Sequence, residues 1–303
     1  MANNYILIDG SYFIFYRYYA LNVWWNLAKP DEEKPPVECP EFVEKFKSTF
    51  VSKIHDIDKN LKLKNTIKYV GKDCRRSEIW RTALYPAYKA TRGLNNDFLG
   101  APLFDIAYGG GAAPVCADNA PVCGGAVPVG VNTTNILYGD KVTIPPTASG
   151  IALFEKANVK QILSYPSLEA DDCIALMAKH LYTTEPDAHI WIIASDMDYL
   201  QITNDRIHLY DLKFKNICEK SSGDPLQDLF CKIVAGDKSD NIPPIFKKCG
   251  IKTAQKYFKD RDLFLKKLAQ DKEAQAIYKL NTTLVDFNSI PIELVDGFMT
   301  THF

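Results

Sequence analysis

The chain has 303 residues, 47% hydrophobic and 24% charged, a balance that excludes disordered and collagen-like polymers and allows one or two domains. It holds no apolar run long enough to span a membrane and starts without a signal-like segment, so an intracellular protein, cytoplasmic or nuclear, is expected. A formal net charge of −1 and a pI near 6.5 argue, at face value, against a protein that coats nucleic acid with positive charge.

Tyr5-Ile6-Leu7-Ile8 reads as a buried strand that opens into a loop at Asp9-Gly10-Ser11, and an aromatic helix is expected over residues 12–22. Between 41 and 64, Phe42, Phe46, Phe50, Ile54, Ile57 and Leu61 recur three or four apart and make the clearest amphipathic helix of the chain. A second strand, residues 66–70, runs into Gly71-Lys72-Asp73. From 95 to 148 the composition changes: eight of the 16 Gly and six of the 17 Pro fall here, with Lys141 the one basic residue. That stretch is expected to be an irregular, partly disordered insertion. Alternation then resumes with a strand at 161–164, a helix at 169–182, a strand at 189–194 that ends in Ser195-Asp196-Met197-Asp198, and another strand at 206–210. Asp224-Pro225-Leu226-Gln227 reads as a capped helix start, with Gln227 completing a capping box. Strands alternating with helices predict a mostly parallel sheet covered on both faces. The eight cysteines form no Cys-x-x-Cys pair and read as buried free thiols.

Acids follow three of the strands: Asp9, Asp73, and the pair Asp196 and Asp198. In a parallel sheet those strand ends share one edge, where ligands gather. Glu169, Asp171 and Asp172 open a helix, and Asp237 and Asp240 follow the capped one, which brings the set to nine carboxylates. So many like charges raise one another's pKa unless cations lie between them, and oxygen donors without Cys or His select Mg²⁺ or Mn²⁺. Two such ions about 4 Å apart can clamp a scissile phosphate, so phosphodiester hydrolysis is the expected chemistry. Setting the nine acids aside from a net charge of −1 leaves the remainder of the chain at +8. Candidate phosphate contacts are Lys72, Arg75, Arg76, Arg81, Lys89, Arg92, Lys247, Lys248 and Lys252.

The segment Tyr85-Pro86-Ala87-Tyr88-Lys89-Ala90-Thr91-Arg92 resembles the Tyr-Pro-x-Tyr-Lys-x-x-Arg motif of the 5′-nuclease superfamily, which includes flap endonucleases, bacteriophage 5′ exonucleases and the 5′-nuclease domain of DNA polymerase I. The order of acids, and Gly236-Asp237-Lys238-Ser239-Asp240-Asn241-Ile242-Pro243 above all, is similar to that family too; residues 278–291 look closest to the bacteriophage RNase H branch. The resemblance implies a PIN-like three-layer α/β/α fold with a C-terminal helix-three-turn-helix DNA-binding module. It divides the chain into 1–94 and 149–236 for the nuclease domain, 95–148 at the position of the helical arch, and 237–303 for the module and tail. It makes Asp9, Asp73, Glu169 and Asp171 ligands of a first cation, and Asp171 or Asp172 with Asp196, Asp198 and Asp240 ligands of a second, with Asp237 acting directly or through water. Lys89 and Arg92 would stabilise the attacked phosphate beside the catalytic acids Asp9, Asp73 and Asp171. Arg75, Arg76, Arg81, Tyr88, Lys247, Lys248, Gly250, Lys252 and Thr253 would join them in touching nucleic acid, with K⁺ bound at the module. One of Tyr18, Tyr19, Trp24 or Trp25 would stack on an exposed base pair.

The implied protein is a 5′-3′ exonuclease and flap endonuclease, expected to act as a monomer on branched or nicked duplex DNA with a 5′ single strand or RNA primer. Three departures from the family pattern stand out: the arch position is almost free of Lys and Arg, residues 242–252 are poorer in glycine than the usual hairpin, and Arg17 falls one place later than the Arg of the polymerase type and takes no role. The tail from Leu294 to Phe303 lacks a sliding-clamp motif. A PIN-type endoribonuclease, which needs fewer acids, and an inactive branched-DNA binder, which would have lost one, are the competing readings.

Overall fold

The structure is a computed structural model and describes residues 3–92, 98–109 and 151–303. Five strands, β1 (Asn4–Asp9), β2 (Thr66–Gly71), β3 (Gln161–Leu163), β4 (His189–Ile193) and β5 (Ile207–Tyr210), form a sheet in the order β3-β2-β1-β4-β5. Every neighbouring pair is parallel, so the five carboxyl ends open on one edge. Because β1 and β4 are buried on both faces, they read as continuous apolar runs rather than as alternating patterns.

One face carries α1 (Gly10–Ala28), α2 (Pro40–Asn60), α4 (Pro102–Tyr108) and α5 (Leu153–Lys156). Phe42, Phe46, Phe50, Ile54 and Ile57 of α2 are all buried, as their spacing predicted. Each such side chain contributes about 1.5–3 kcal/mol on leaving water. The other face carries α6 (Ala170–Thr184) and α11 (Ile292–His302), packed over Tyr5, Leu7, Ile190 and Ile192. The result is a three-layer α/β/α arrangement. A third apolar cluster joins α7 (Pro225–Ala235), α8 (Ile251–Lys259), α9 (Arg261–Ala269) and α10 (Lys272–Val285) to Cys74, Ile79 and Tyr88, which flank the short α3 (Trp80–Leu84), beside the open edge of the sheet.

Three expectations change. The stretch after 95 is not irregular throughout: Pro102–Tyr108 is helical, and Phe98, Leu103, Phe104 and Ala107 are buried against α1 and α5. Its Pro and Gly bound the helix instead of breaking it, Pro102 in the first turn and Gly109 as a left-handed C-cap at φ +90°. Residues 110–150, with the rest of the expected arch, lie outside the described residues. At α7, Asp224 caps the Leu226 amide at 2.9 Å as predicted, but the return bond from the Asp224 amide goes to Ser222 Oγ, at 3.3 Å, not to Gln227. Among the aromatics, Tyr18 and Trp25 are core residues, whereas Tyr19 and Trp24 are 41% and 38% exposed. The described cysteines are all free; Cys116 and Cys123 lie outside the described residues. No described helix is long and apolar enough to cross a membrane.

Candidate active site

Asp9 ends β1 and caps α1, accepting from the Tyr12 amide at 2.9 Å. The β1–β2 register sets Asp9 opposite Gly71, so Asp73 emerges beside it two residues later. Gly71 is required there: a Cβ would lie 2.8 Å from the Ala170 carbonyl. That close approach brings the start of α6 onto the end of β2, and the Ala170 amide donates to Asp73 Oδ1 at 2.8 Å. Ser11 Oγ donates to the other oxygen of Asp73. Free amides at a helix start favour a carboxylate in this place.

Glu169 caps α6 in a box with Asp172, whose carboxylate accepts the Glu169 amide at 3.2 Å. The two acids share buried Arg81: its guanidinium grips Asp172 with two bonds, 2.8 and 2.7 Å, and reaches Glu169 at 3.1 Å. Trp80 Nε1 adds a third bond to Asp172 at 3.0 Å. Glu169 also accepts from Lys89 Nζ at 2.6 Å and from the Tyr88 hydroxyl at 3.1 Å. Burial alone would push Glu169 up, but Lys89 and Arg81 hold it below the usual carboxylate range. Oxygens of Glu169, Asp171 and Asp172 lie within 4.8 Å of one another.

Lys89 itself sits at φ +53°, a left-handed conformation that costs a non-glycine residue about 1 kcal/mol or more. It is held there from several sides. Its amide donates to the Asp240 carbonyl at 3.0 Å, and Arg76 donates to the carbonyls of Lys89 and, at 2.6 Å, of Arg92. Asn241 adds side-chain bonds to Thr91 at 3.0 Å and to the Ala87 carbonyl at 2.9 Å. The segment 85–92 is thus stapled to the loop after α7. Gly236 shapes that loop at φ +70°, where a Cβ would lie 2.4 Å from the Ile242 carbonyl.

Three further acids, Asp198, Asp237 and Asp240, have cations of their own. Arg92 is paired with buried Asp240, and Lys232 of α7 lies between Asp198 and Asp237, 2.9 Å from the latter. Burial raises Asp237, yet Lys232 and the bonds from Ser239 bring it down to about 2. Among the described residues no ion pair reaches Asp9, Asp73, Asp171 or Asp196. Burial, with Asp73 and Asp196 nearby, pushes Asp9 up to about 7. Burial also raises Asp73, and burial with the neighbouring Glu169 raises Asp171 well above the usual range. The acids therefore form two groups: one balanced by internal cations, one carrying mutual repulsion that protons or metal ions must relieve.

The unbalanced group predicts an inverted pH dependence for the cation-free protein. Asp9 rises from its ordinary 3.8 to about 7, so between those values the folded chain holds a proton that the unfolded chain has released. Stability is therefore greatest below the unfolded value and falls as pH rises through the window, by about 4 kcal/mol for this group. Asp73 and Asp171 act in the same direction. Asp237 acts oppositely, its contribution being lost as pH falls from about 4 toward 2. Thermal melts in chelator are expected to show Tm falling from pH 5 to 8 and recovering with Mn²⁺. A flat or rising Tm over that range contradicts the arrangement.

Several predicted contacts sit differently from expectation. Arg81 and Tyr88 are buried, 2% and 5% exposed, with their polar atoms turned to Glu169 and Asp172, so neither presents itself to a phosphate. Arg76 spends its guanidinium on backbone carbonyls. Both oxygens of Asp172 are engaged by Arg81, Trp80 and the Glu169 amide. Arg75, Lys247, Lys248, Gly250 and Lys252 are exposed, and Thr253 is half-buried at the start of α8. Ser11, Trp80 and Lys232 belong to the site although the sequence reading did not single them out. The Glu-x-x-Asp spacing of a capping box was a legible signal for the Glu169–Asp172 pair; nothing local marks Lys232.

No family model matches the chain. A stretch of 116 residues is 29% identical to DNA polymerase I of Rhizobium leguminosarum, covering 35% of this chain and 11% of the polymerase, a small part of its length. Among solved structures, the bacteriophage T5 flap endonuclease in a pseudo-enzyme–product complex with DNA and metal ions matches at TM-score 0.58 and 17% identity, over 99% of this chain and 97% of that one. The T5 5′-exonuclease with bound divalent zinc ions matches at TM-score 0.55 and 16% identity, over 99% of this chain and 98% of that one. At such identity the likeness is one of fold, and it extends over nearly the whole chain. In fold and in local sequence, the chain resembles the 5′-nuclease superfamily.

Proposed function

We propose that the chain is a structure-specific 5′ nuclease, a 5′-3′ exonuclease and flap endonuclease that hydrolyses phosphodiester bonds in DNA or RNA-primed DNA during replication and repair, with two Mg²⁺ or Mn²⁺ ions. The observation that carries this reading is that Asp9, Asp73 and Asp171, at the carboxyl edge of a parallel sheet, have raised pKa values and no ion pair among the described residues. An all-oxygen donor set of this kind fits a hard divalent cation. Asp9, Asp73, Glu169 and Asp171 would hold one ion, and Asp196, Asp198 and Asp240, with Asp237 close by, the other. Such ions supply charge neutralisation and polarisation of the scissile phosphate.

The chain's own residues supply the remainder. Asp172 keeps Arg81 and the start of α6 in place instead of binding a cation. Lys89 and Arg92, ion-paired with Glu169 and Asp240, would favour a phosphate bound beside those acids. Lys247, Lys248, Gly250, Lys252 and Thr253 surround the first turn of α8 and would contact duplex backbone as part of a helix-three-turn-helix module that also takes K⁺. Arg75 and the exposed rings of Tyr19 and Trp24 are further candidate contacts.

A Mg²⁺-dependent assay on 5′-flap, nicked, blocked-flap and RNA-primed duplexes, with single-stranded RNA alongside, tests the reading. Cleavage of the duplex substrates to 5′-phosphate ends, with unpaired RNA spared, is expected. Cleavage of unpaired RNA alone would favour an endoribonuclease, and tight binding without cleavage an inactive DNA binder. A blocked flap that is still cut would exclude threading of the 5′ end.

A further inference from the structure

The acids assigned to the second cation already enclose a cation of the chain's own. Lys232 lies in the last turn of α7, and its ammonium is paired with Asp198 from the turn after β4 and with Asp237 from the loop after α7. Its side chain is only 20% exposed, so the pair of contacts is built into the packing and is not a surface accident. Asp240, next along that loop, is neutralised by Arg92. On the other side of the site only Glu169 is paired, with Lys89 and with the Arg81 it shares with Asp172, and Asp9, Asp73 and Asp171 have no ion pair among the described residues. The two halves of one acid cluster therefore differ in net charge, and cation affinity follows the net charge of the ligand set.

We propose that Lys232 is a positioning residue that fills the second cation's place between Asp198 and Asp237, so that the DNA-free protein binds one divalent ion tightly and a second only weakly. This inference rests on the metal-dependent reading above and adds an order of loading to it. An ion held beside the ammonium would meet a like charge, a repulsion large enough to weaken binding by roughly ten- to a hundredfold. A phosphodiester at the sheet edge brings negative charge that offsets this repulsion, and the flexible stem of Lys232 lets its ammonium turn toward a phosphate oxygen. Uptake of the second ion is then tied to the presence of substrate, which keeps the free protein from carrying a fully armed site.

The test is Mn²⁺ titration of the DNA-free full chain, followed by electron paramagnetic resonance of the unbound ion. The parent is expected to take up one ion tightly and a second at least tenfold more weakly. In Lys232→Gln the second step should tighten roughly ten- to a hundredfold with the first unchanged, while Lys232→Arg keeps the two-step curve. Two equal steps in the parent, or no tightening in Lys232→Gln, would overturn the proposal. If Lys232→Gln does not fold, nitrogen-labelled lysine spectra of the parent decide: a Lys232 ammonium signal that moves with the second Mg²⁺ equivalent supports the assignment, and one that moves with the first or not at all refutes it. Uptake of no Mn²⁺ by the parent would overturn the metal-dependent reading itself, a separate outcome from the two above.

Discussion

Asp171→Asn is expected to cut cleavage of a labelled 5′ flap by about 10³-fold or more while leaving flap binding in chelator within a few fold of the parent. The magnitude follows from the several kcal/mol that a bound cation supplies to phosphoryl transfer, each 1.4 kcal/mol being about tenfold in rate. The fold should survive the change. Asp171 Oδ1 accepts the Asp172 amide at 2.7 Å, and the Asn carbonyl can keep that bond. Burial and Glu169 already favour the neutral form of Asp171, which Asn mimics, so the cation-free variant should melt no lower than the parent at pH 7.5. Turnover equal to that of the parent would remove Asp171 from the reaction; loss of cleavage together with loss of folding would leave its role structural.

Arg81→Met is expected to lower stability by about 3–5 kcal/mol, read from the urea midpoint, because two acids would then be buried without their counter-charge. Asp172 loses two bonds and Glu169 one, and the backbone of α10 loses the bond from Arg81 Nε to the Leu284 carbonyl, 2.8 Å. That last bond ties the C-terminal helices to the acid cluster, so the substitution should also loosen α10, visible as faster amide exchange there. Arg81→Lys cannot restore the fork that holds Asp172 and should recover only part of the loss. A change below about 1 kcal/mol would mean that the buried pair is matched by relaxation around it.

The acids at the ends of β1, β2 and β4 were legible in the sequence because an apolar run that stops at an acid is a local pattern, and parallel topology then puts such ends together. The buried face of α2 and the cap at Asp224 were legible because they too are local patterns. The charge pairing was not. Arg81 and Leu284 are far apart in sequence, and no spacing rule links Lys232 to Asp198; which cations turn inward is decided by packing, and the default expectation for Lys and Arg is exposure. Arg81, Lys89, Arg92 and Lys232 are all committed to acids of the site, so part of the +8 surplus outside the nine acids is internal and the basic surface is smaller than the count suggested. The Pro102–Tyr108 helix was hidden for a different reason. Composition averaged over 95–148 masked the short apolar run Leu103, Phe104 and Ala107, whose own Pro and Gly were start and stop signals.

Asp9, Asp73 and Asp171 have no ion pair among the described residues, and the function proposed above puts a divalent ion among them. Diffraction from crystals grown with Mn²⁺ at neutral pH, collected for anomalous signal, tests it most directly. The account predicts a peak among those three carboxylates, stronger than any peak between Asp198 and Asp237. A cluster that stays metal-free at millimolar Mn²⁺, with the three acids in the same positions, would contradict it.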